Sequence, residues 1–224
     1  RPLVVGGTGL YINALTYPLT FSQIAPDDEL RAELMEKEQA EKGALHKMLA
    51  ELDAKTAERL HPNDTKRIVR ALEICIKSGK KASEQGEGFT YRNDDALEFA
   101  PVMAGITMPR DILYARIEKR VDDMFNAGLV DEVRALLSRG CTRELPAMQG
   151  LGYKETIAYI MGECTLDEAK ETIKRETRRF AKRQLTWFRR EERIRWFDAT
   201  EYGCAEELGK AIAEHFLTQE EQNG

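Results

Sequence analysis

Through most of this chain apolar residues return every three or four positions, and only three short stretches can serve as strands. That imbalance constrains the fold more than any other feature. The strand candidates are Leu3-Val4-Val5, Pro101 to Ile106, and Ile194 to Phe197. The first runs into Gly6-Gly7-Thr8-Gly9 and an apolar helical start at Leu10-Tyr11-Ile12, a strand-to-helix turn of the kind an α/β sheet uses. A parallel sheet normally has both faces covered by its own crossovers, so three strands make an incomplete one. The expected fold is therefore α/β but helix-rich overall, with further strands upstream of Arg1. Without them Leu3-Val4-Val5 would be an exposed apolar edge.

The helical pattern divides at glycines and capping residues. From Asp27 to Arg59, Leu30, Leu34, Leu45, Leu49 and Leu52 predict a helical hairpin broken at Gly43. Asn63-Asp64 precedes a helix from Thr65 to Lys77 with an Ile68, Ala71, Leu72, Ile76 stripe, and Ser78-Gly79 stops it. Lys80 to Asp95 reads as a surface loop. Pro109 opens a helix carrying Ile112, Ala115, Ile117, Val121 and Met124, which Gly128 closes; Leu129 to Leu137 follows. Leu145 to Gly152 is an irregular loop before a helix from Lys154, and Leu166 to Trp187 is the last long helix.

Charged residues are 33% of the chain, mean hydropathy is −0.51, and no apolar run approaches the ~18 residues of a membrane span. A soluble, cytoplasmic chain with no membrane partner is expected. The four cysteines, Cys75, Cys141, Cys164 and Cys204, are too scattered to suggest a zinc site or a disulfide framework. A net charge of −5 argues against nucleic-acid binding over the whole surface. Charge is segregated, however: Lys174 to Arg195 holds ten cations against three carboxylates, a balance of +7.

Four patterns could carry chemistry. Glycines at Gly6-Gly7-Thr8 would let backbone N–H groups approach a phosphate, or merely make a tight turn against the core. His61 to Arg70 places Lys66, Arg67 and Arg70 in the first turns of a helix, facing an anionic partner or simply solvent; His61 itself reads as a turn residue. Arg116 and Arg120, four apart, could clamp diphosphate oxygens or pair with Glu118, Asp122 or Asp123. Finally, Arg178 to Arg189 interleaves cations with Phe180, Trp187 and Phe188; these could be core anchors with the cations on the wet face, but the density of cations favours phosphate contact plus base stacking.

These pieces run in the order GGTGLY, HPNDTKRIVRALE, ARIEKRVDDMFNAGLVDEV, MQGLGYKE, RRFAKRQLTWFRR, an order that resembles the tRNA dimethylallyltransferase family over nearly the whole chain. The resemblance implies an incomplete P-loop NTPase-like parallel-sheet core in residues 1–20 and 61–224. A helical insertion domain at 21–60 would grip the anticodon stem-loop of tRNA. It further implies that an adenosine next to the anticodon is flipped into a tunnel, where its exocyclic amine attacks dimethylallyl diphosphate. Magnesium would assist, though no residue of this chain is assigned as its ligand.

Carried over by position, Thr8 would stand beside the reacting groups, with Gly6, Gly7 and either Arg116 or Arg120 toward the diphosphate. Arg31 would contact tRNA, as would Lys66, Arg67, Ile68, Val69 and Arg70. Two further tRNA segments would be Gln149, Gly150, Leu151, Gly152, Tyr153 and Lys154, and Lys182, Arg183, Gln184, Leu185, Thr186, Trp187, Phe188 and Arg189. The family's P-loop and general-base aspartate would fall before Arg1, so this chain alone is expected to be a monomer that binds tRNA weakly and catalyses little. Two other function classes compete, a non-catalytic RNA-binding module and a nucleotide kinase relative.

Overall fold

The computed structural model describes residues 2–17, 24–84 and 101–223. The chain forms two compact units, one of residues 1–9 with 101–224 and one of residues 10–100. The second is therefore an insertion in the first.

The inserted unit is helical: most of α1 (Gly9–Thr16), then α2 (Asp28–Ala40), α3 (Ala44–Leu52), α4 (Ala54–Arg59) and α5 (Thr65–Ser78). Asp27 caps α2 by accepting the Leu30 N–H at 3.1 Å, and Gly43, at φ 86°, supplies the left-handed turn into α3. The apolar periodicity does what it implied. Leu34, Leu45 and Leu49 pack with Ala57, Ile68, Val69, Ala71 and Leu72 into one core. That packing moves a boundary, because α5 buries its stripe against α2 and α3. It therefore belongs with the helical unit, whereas the sequence division at residue 61 had put it in the sheet core.

Asp53 breaks the hairpin a second time. Its buried carboxylate accepts from the Thr56 amide (3.1 Å) and hydroxyl (2.6 Å) and from the Ser83 amide (2.7 Å) and hydroxyl (2.8 Å). Burial pushes its pKa up, but these hydrogen bonds outweigh it and hold the group at about 2. Residues 82–84 form a single 3-10 turn, and most of the Lys80–Asp95 surface loop lies outside the described residues.

In the other unit, β1 (Met103–Thr107) and β2 (Ile194–Asp198) pair in parallel, Met103 opposite Ile194 through Thr107 opposite Asp198. Gly105 makes room for the facing side chains, since a Cβ there would fall 2.7 Å from Ile194 Cγ2 and 2.8 Å from Trp196 Cε3. The crossover contains α6 (Arg110–Asn126), α7 (Leu129–Ser138), a 3-10 turn (Pro146–Gln149), α8 (Tyr153–Ile160) and α9 (Leu166–Phe188). Leu129, Val133, Met148 and Ile157 are its central cluster, and α9 packs on both α6 and α8. A reciprocal cap starts α9: Thr165 Oγ1 accepts the Glu168 N–H at 3.2 Å while Glu168 accepts the Thr165 N–H at 2.7 Å.

Two expectations need correction. Residues 2–8 have no regular secondary structure, and Leu3, Val4 and Val5 are 75%, 55% and 86% exposed. A strand exists only through its ladder, and neither described strand takes this segment as a neighbour. Secondly, α9 is not the last long helix: α10 (Ala205–Asn223) follows β2. Its signal is Leu208, Ile212, His215 and Phe216, a thin half-buried stripe among polar residues. Among the described residues, no helix is long and apolar enough to cross a membrane.

Candidate functional site

The last two turns of α9 gather the most informative residues. Gln184 donates its side-chain N–H to the Gly7 carbonyl at 2.9 Å, and the Trp187 indole lies against Gly9, where a Cβ would overlap its Cδ1 and Nε1. A Cβ on Gly7 would likewise overlap the Gln184 amide, while Gly6 has open space around it. Two of the glycines thus serve close approach to α9. Thr8, exposed, stands between them. The structure thereby brings together two segments 177 residues apart that sequence reasoning had assigned separately.

Charge along α9 changes character halfway. Toward its start Lys174 pairs with Asp122 (3.0 Å), Arg178 with Glu118 (2.6 Å) and Arg179 with Glu176 (2.7 Å). Beyond that point Lys182, Arg183, Arg189 and Arg190 are exposed, and no ion pair engages them among the described residues. Arg179, Lys182, Arg183, Thr186, Trp187 and Arg190 line an open cavity of about 470 Å³. Arg190 lies one residue past the segment marked from sequence; the continuing run of cations was the signal for it. Leu185 and Phe188 are half-buried.

Arg116 and Arg120 are exposed on α6, and no hydrogen bond or ion pair engages either among the described residues. The acids that might have neutralised them are committed elsewhere: Glu118 to Arg178, Asp122 to Lys174, and Asp123 to Lys119 at 2.6 Å. No hydrogen bond links them to the Gly6–Thr8 turn among the described residues. Nor does any group of three or more His, Cys, Asp or Glu converge there as a metal cage. Among the described residues the magnesium implied by the resemblance has no such ligand set.

The basic residues of the helical unit are arranged differently. Glu73 is fully buried in the middle of the α5 stripe. It accepts from Arg31 Nε at 2.9 Å and Nη2 at 3.0 Å, from the Asp27 N–H at 2.7 Å, and from Arg70 Nη1. Arg70 also reaches the Ile24 carbonyl at 3.0 Å. Burial raises the Glu73 pKa, but the Arg31, Asp27 and Arg70 hydrogen bonds outweigh it and leave the carboxyl at about 2. Arg31 and Arg70 are thus bound inward by an acid that sequence reasoning overlooked. The available signal was a glutamate one turn after Val69 on an apolar face. Ile68 and Val69, marked as tRNA-contacting, are buried core residues at 1% and 6% exposure, as their place in the stripe requires. Lys66 and Arg67 stay exposed, Arg67 with Asp64 at 3.5 Å. His61 is a turn residue as expected, its Nδ1 accepting the Asn63 N–H at 3.1 Å.

The Gln149–Lys154 segment forms the end of the 3-10 turn and the start of α8. Gln149 donates to the Arg143 carbonyl at 2.5 Å, Tyr153 donates to Glu132, and Gly152, at φ 103°, gives its N–H to Glu155 at 2.9 Å. Gly150, Leu151 and Lys154 are exposed, Lys154 standing 3.6 Å from Glu155. Gly152 and Tyr153 therefore support the turn, and the outward groups are Gln149, Leu151 and Lys154.

Comparison with known proteins gives the family. The family model described as IPP transferase matches residues 1–191. A tRNA dimethylallyltransferase of Desulforudis audaxviator is 52% identical over 203 residues, covering 90% of this chain and 64% of that protein. One from Clostridioides difficile is 46% identical over 212 residues, covering 94% and 66%. The chain thus spans about two thirds of the length of these relatives. The full-length tRNA isopentenylpyrophosphate transferase of Bacillus halodurans superposes with a TM-score of 0.59 at 38% identity, over 96% of this chain and 67% of that one. A eukaryotic dimethylallyltransferase acting on tRNA, 24% identical, shares the fold at a TM-score of 0.67 over 96% and 56%. With its helix-rich architecture, its small parallel sheet and a family match through residue 191, the chain belongs to the IPP transferase family.

Proposed function

We propose that the protein containing this chain transfers a dimethylallyl group from dimethylallyl diphosphate to the exocyclic amine of an adenosine next to the anticodon in tRNA. The observation that carries this reading is the pairing, on one helix, of acid-free cations at Lys182, Arg183, Arg189 and Arg190 with an anchored turn that presents Thr8. Cations without acid partners are free to meet phosphates, which supplies sequence-independent RNA affinity. A flipped adenosine would meet Thr8, since a stacked base hides its amine.

In the transfer the amine nitrogen forms a bond to the allylic carbon as the carbon–oxygen bond to diphosphate breaks. Nitrogen gives up a proton, and diphosphate leaves with both bonding electrons. Arg116 and Arg120, free of acids, are suited to the negative charge that develops on the departing group. The proton acceptor is not assigned to any residue of the site described. The helical unit serves as an RNA-gripping module through Lys66 and Arg67, with Gln149, Leu151 and Lys154 as further contacts. One polypeptide per tRNA and a cytoplasmic setting complete the reading.

The test is transfer of labelled dimethylallyl to tRNA by the complete protein, followed by mapping of the modified nucleoside. Label on the adenosine beside the anticodon is the expected result. RNA binding without transfer would instead identify a non-catalytic RNA-binding module. Phosphoryl transfer to a small acceptor, indifferent to RNA, would indicate a kinase relative.

A further inference from the structure

Gln184 and Trp187 lie in the segment whose cations face RNA, yet their contacts are with the protein's own turn. At 100° per residue, Lys182 and Thr186 stand roughly 160° around α9 from Gln184, and Trp187 borders the cavity that they line. Gln184 itself spans to the Gly7 carbonyl at 2.9 Å, and Trp187, one turn on, covers Gly9. Residues 2–8 have no regular secondary structure, and these two contacts tie the turn to α9 on either side of Thr8.

We propose that Gln184 and Trp187 are positioning residues that hold the Gly7–Gly9 turn so that Thr8 meets the reacting groups, with RNA affinity left to the cations around the helix. The inference deepens the transferase reading and rests on it. Because one rigid helix carries both the cationic face and the clamp, RNA seated on Lys182, Thr186 and Arg190 has a set placement relative to Thr8. Glycine at positions 7 and 9 is required by this approach, since any side chain would enter the volume of Gln184 or Trp187.

Gln184→Met tests the bond alone, because it keeps about the length of the side chain, adds no charge and removes the donor. Gly9→Ala tests the indole contact. Arg183→Ala is the comparator for lost RNA affinity. In the complete protein, with tRNA and dimethylallyl diphosphate, Gln184→Met and Gly9→Ala should lower kcat about ten- to a hundredfold while leaving the tRNA Kd within about twofold, as expected for misplacement at a reaction centre. Amide exchange at Gly7 to Gly9 should quicken in both. Arg183→Ala should weaken Kd and leave that exchange unchanged. A rise in Kd for Gln184→Met matching that of Arg183→Ala, with kcat retained, would make Gln184 an RNA contact and overturn the proposal; so would unaltered exchange with unaltered kcat. Should Gly9→Ala fail to fold, Gln184→Met decides. If the unaltered protein transfers no prenyl group, the transferase reading has failed, and exchange alone judges the clamp: faster exchange in Gln184→Met supports it, and identical exchange removes it.

Discussion

Two basic clusters, one in each unit, look alike in sequence and behave in opposite ways. In the helical unit Arg31 and Arg70 turn onto Glu73, which is buried, ionised and satisfied by three donors. At the end of α9 and just past it, Lys182, Arg183, Arg189 and Arg190 make no ion pair among the described residues. One pair comes from two neighbouring helices, α2 and α5, and the other group from the end of one helix. The difference lies in where the carboxylates are, and burial decides that. An acid inside a core must be matched by cations, as Glu73 is, or by hydrogen-bond donors, as Asp53 is, because an unpaired buried charge is costly. Cations on an exposed face carry no such obligation and remain available to a polyanion.

The comparison breaks most decisively at Glu73. Replacing it with alanine should destabilise the helical unit by about 3–5 kcal/mol, the order found when a buried ion pair loses one member. Urea unfolding followed by circular dichroism would measure this, and a loss below about 1 kcal/mol would place Glu73 among ordinary surface acids. Next in size, the double change of Arg183 and Arg189 to alanine should weaken tRNA binding about ten- to a hundredfold and flatten the slope of log K against log salt by about 1 to 2. Stability should stay within about 0.5 kcal/mol, as for surface substitutions in general. Arg31→Ala should do the reverse, costing stability with the salt slope intact. A flattened slope in a stable Arg31→Ala protein would return Arg31 to the RNA surface.

Acid titration separates the units in another way. Glu73 and Asp53 have folded pKa values of about 2, below their ordinary values of 4.5 and 3.8. Depressed carboxyl groups contribute stability that is present above the ordinary value and lost as pH falls through the folded one. Stability of the helical unit should therefore decline from about pH 4.5 toward pH 2, read by helical ellipticity in mild urea. In Asp53→Asn with Glu73→Gln the decline should flatten. The smallest effect belongs to Arg175, in the half of α9 whose cations have acids nearby. Arg175→Ala should change stability by less than about 0.5 kcal/mol and tRNA affinity by less than about twofold.

Much of the fold was legible in advance because helices announce themselves locally. Gly43, Asn63-Asp64, Pro109 and Gly128 mark element ends through backbone conformation and orphan N–H groups, which neighbouring residues alone determine. Strands were less secure. Pro101–Ile106 and Ile194–Phe197 found each other, but Leu3-Val4-Val5 did not form a strand, since pairing depends on a distant partner. α10 escaped because its apolar stripe is thin. Of the site, the cationic end of α9 could be read from composition, whereas Glu73, the pairing of Glu118 with Arg178, and the grip of Gln184 on Gly7 could not.

By itself, then, the amino-acid order determined the helices, their caps, the family resemblance and the place where positive charge accumulates, all properties of residues within a few turns of one another. The tertiary structure alone decided which cations are neutralised and which remain free, that α5 belongs to the helical unit, and that the Gly7 carbonyl accepts a hydrogen bond from a residue 177 positions away. Charge neutralisation and close approach depend on distances between segments remote in sequence, and only the packed chain sets those distances.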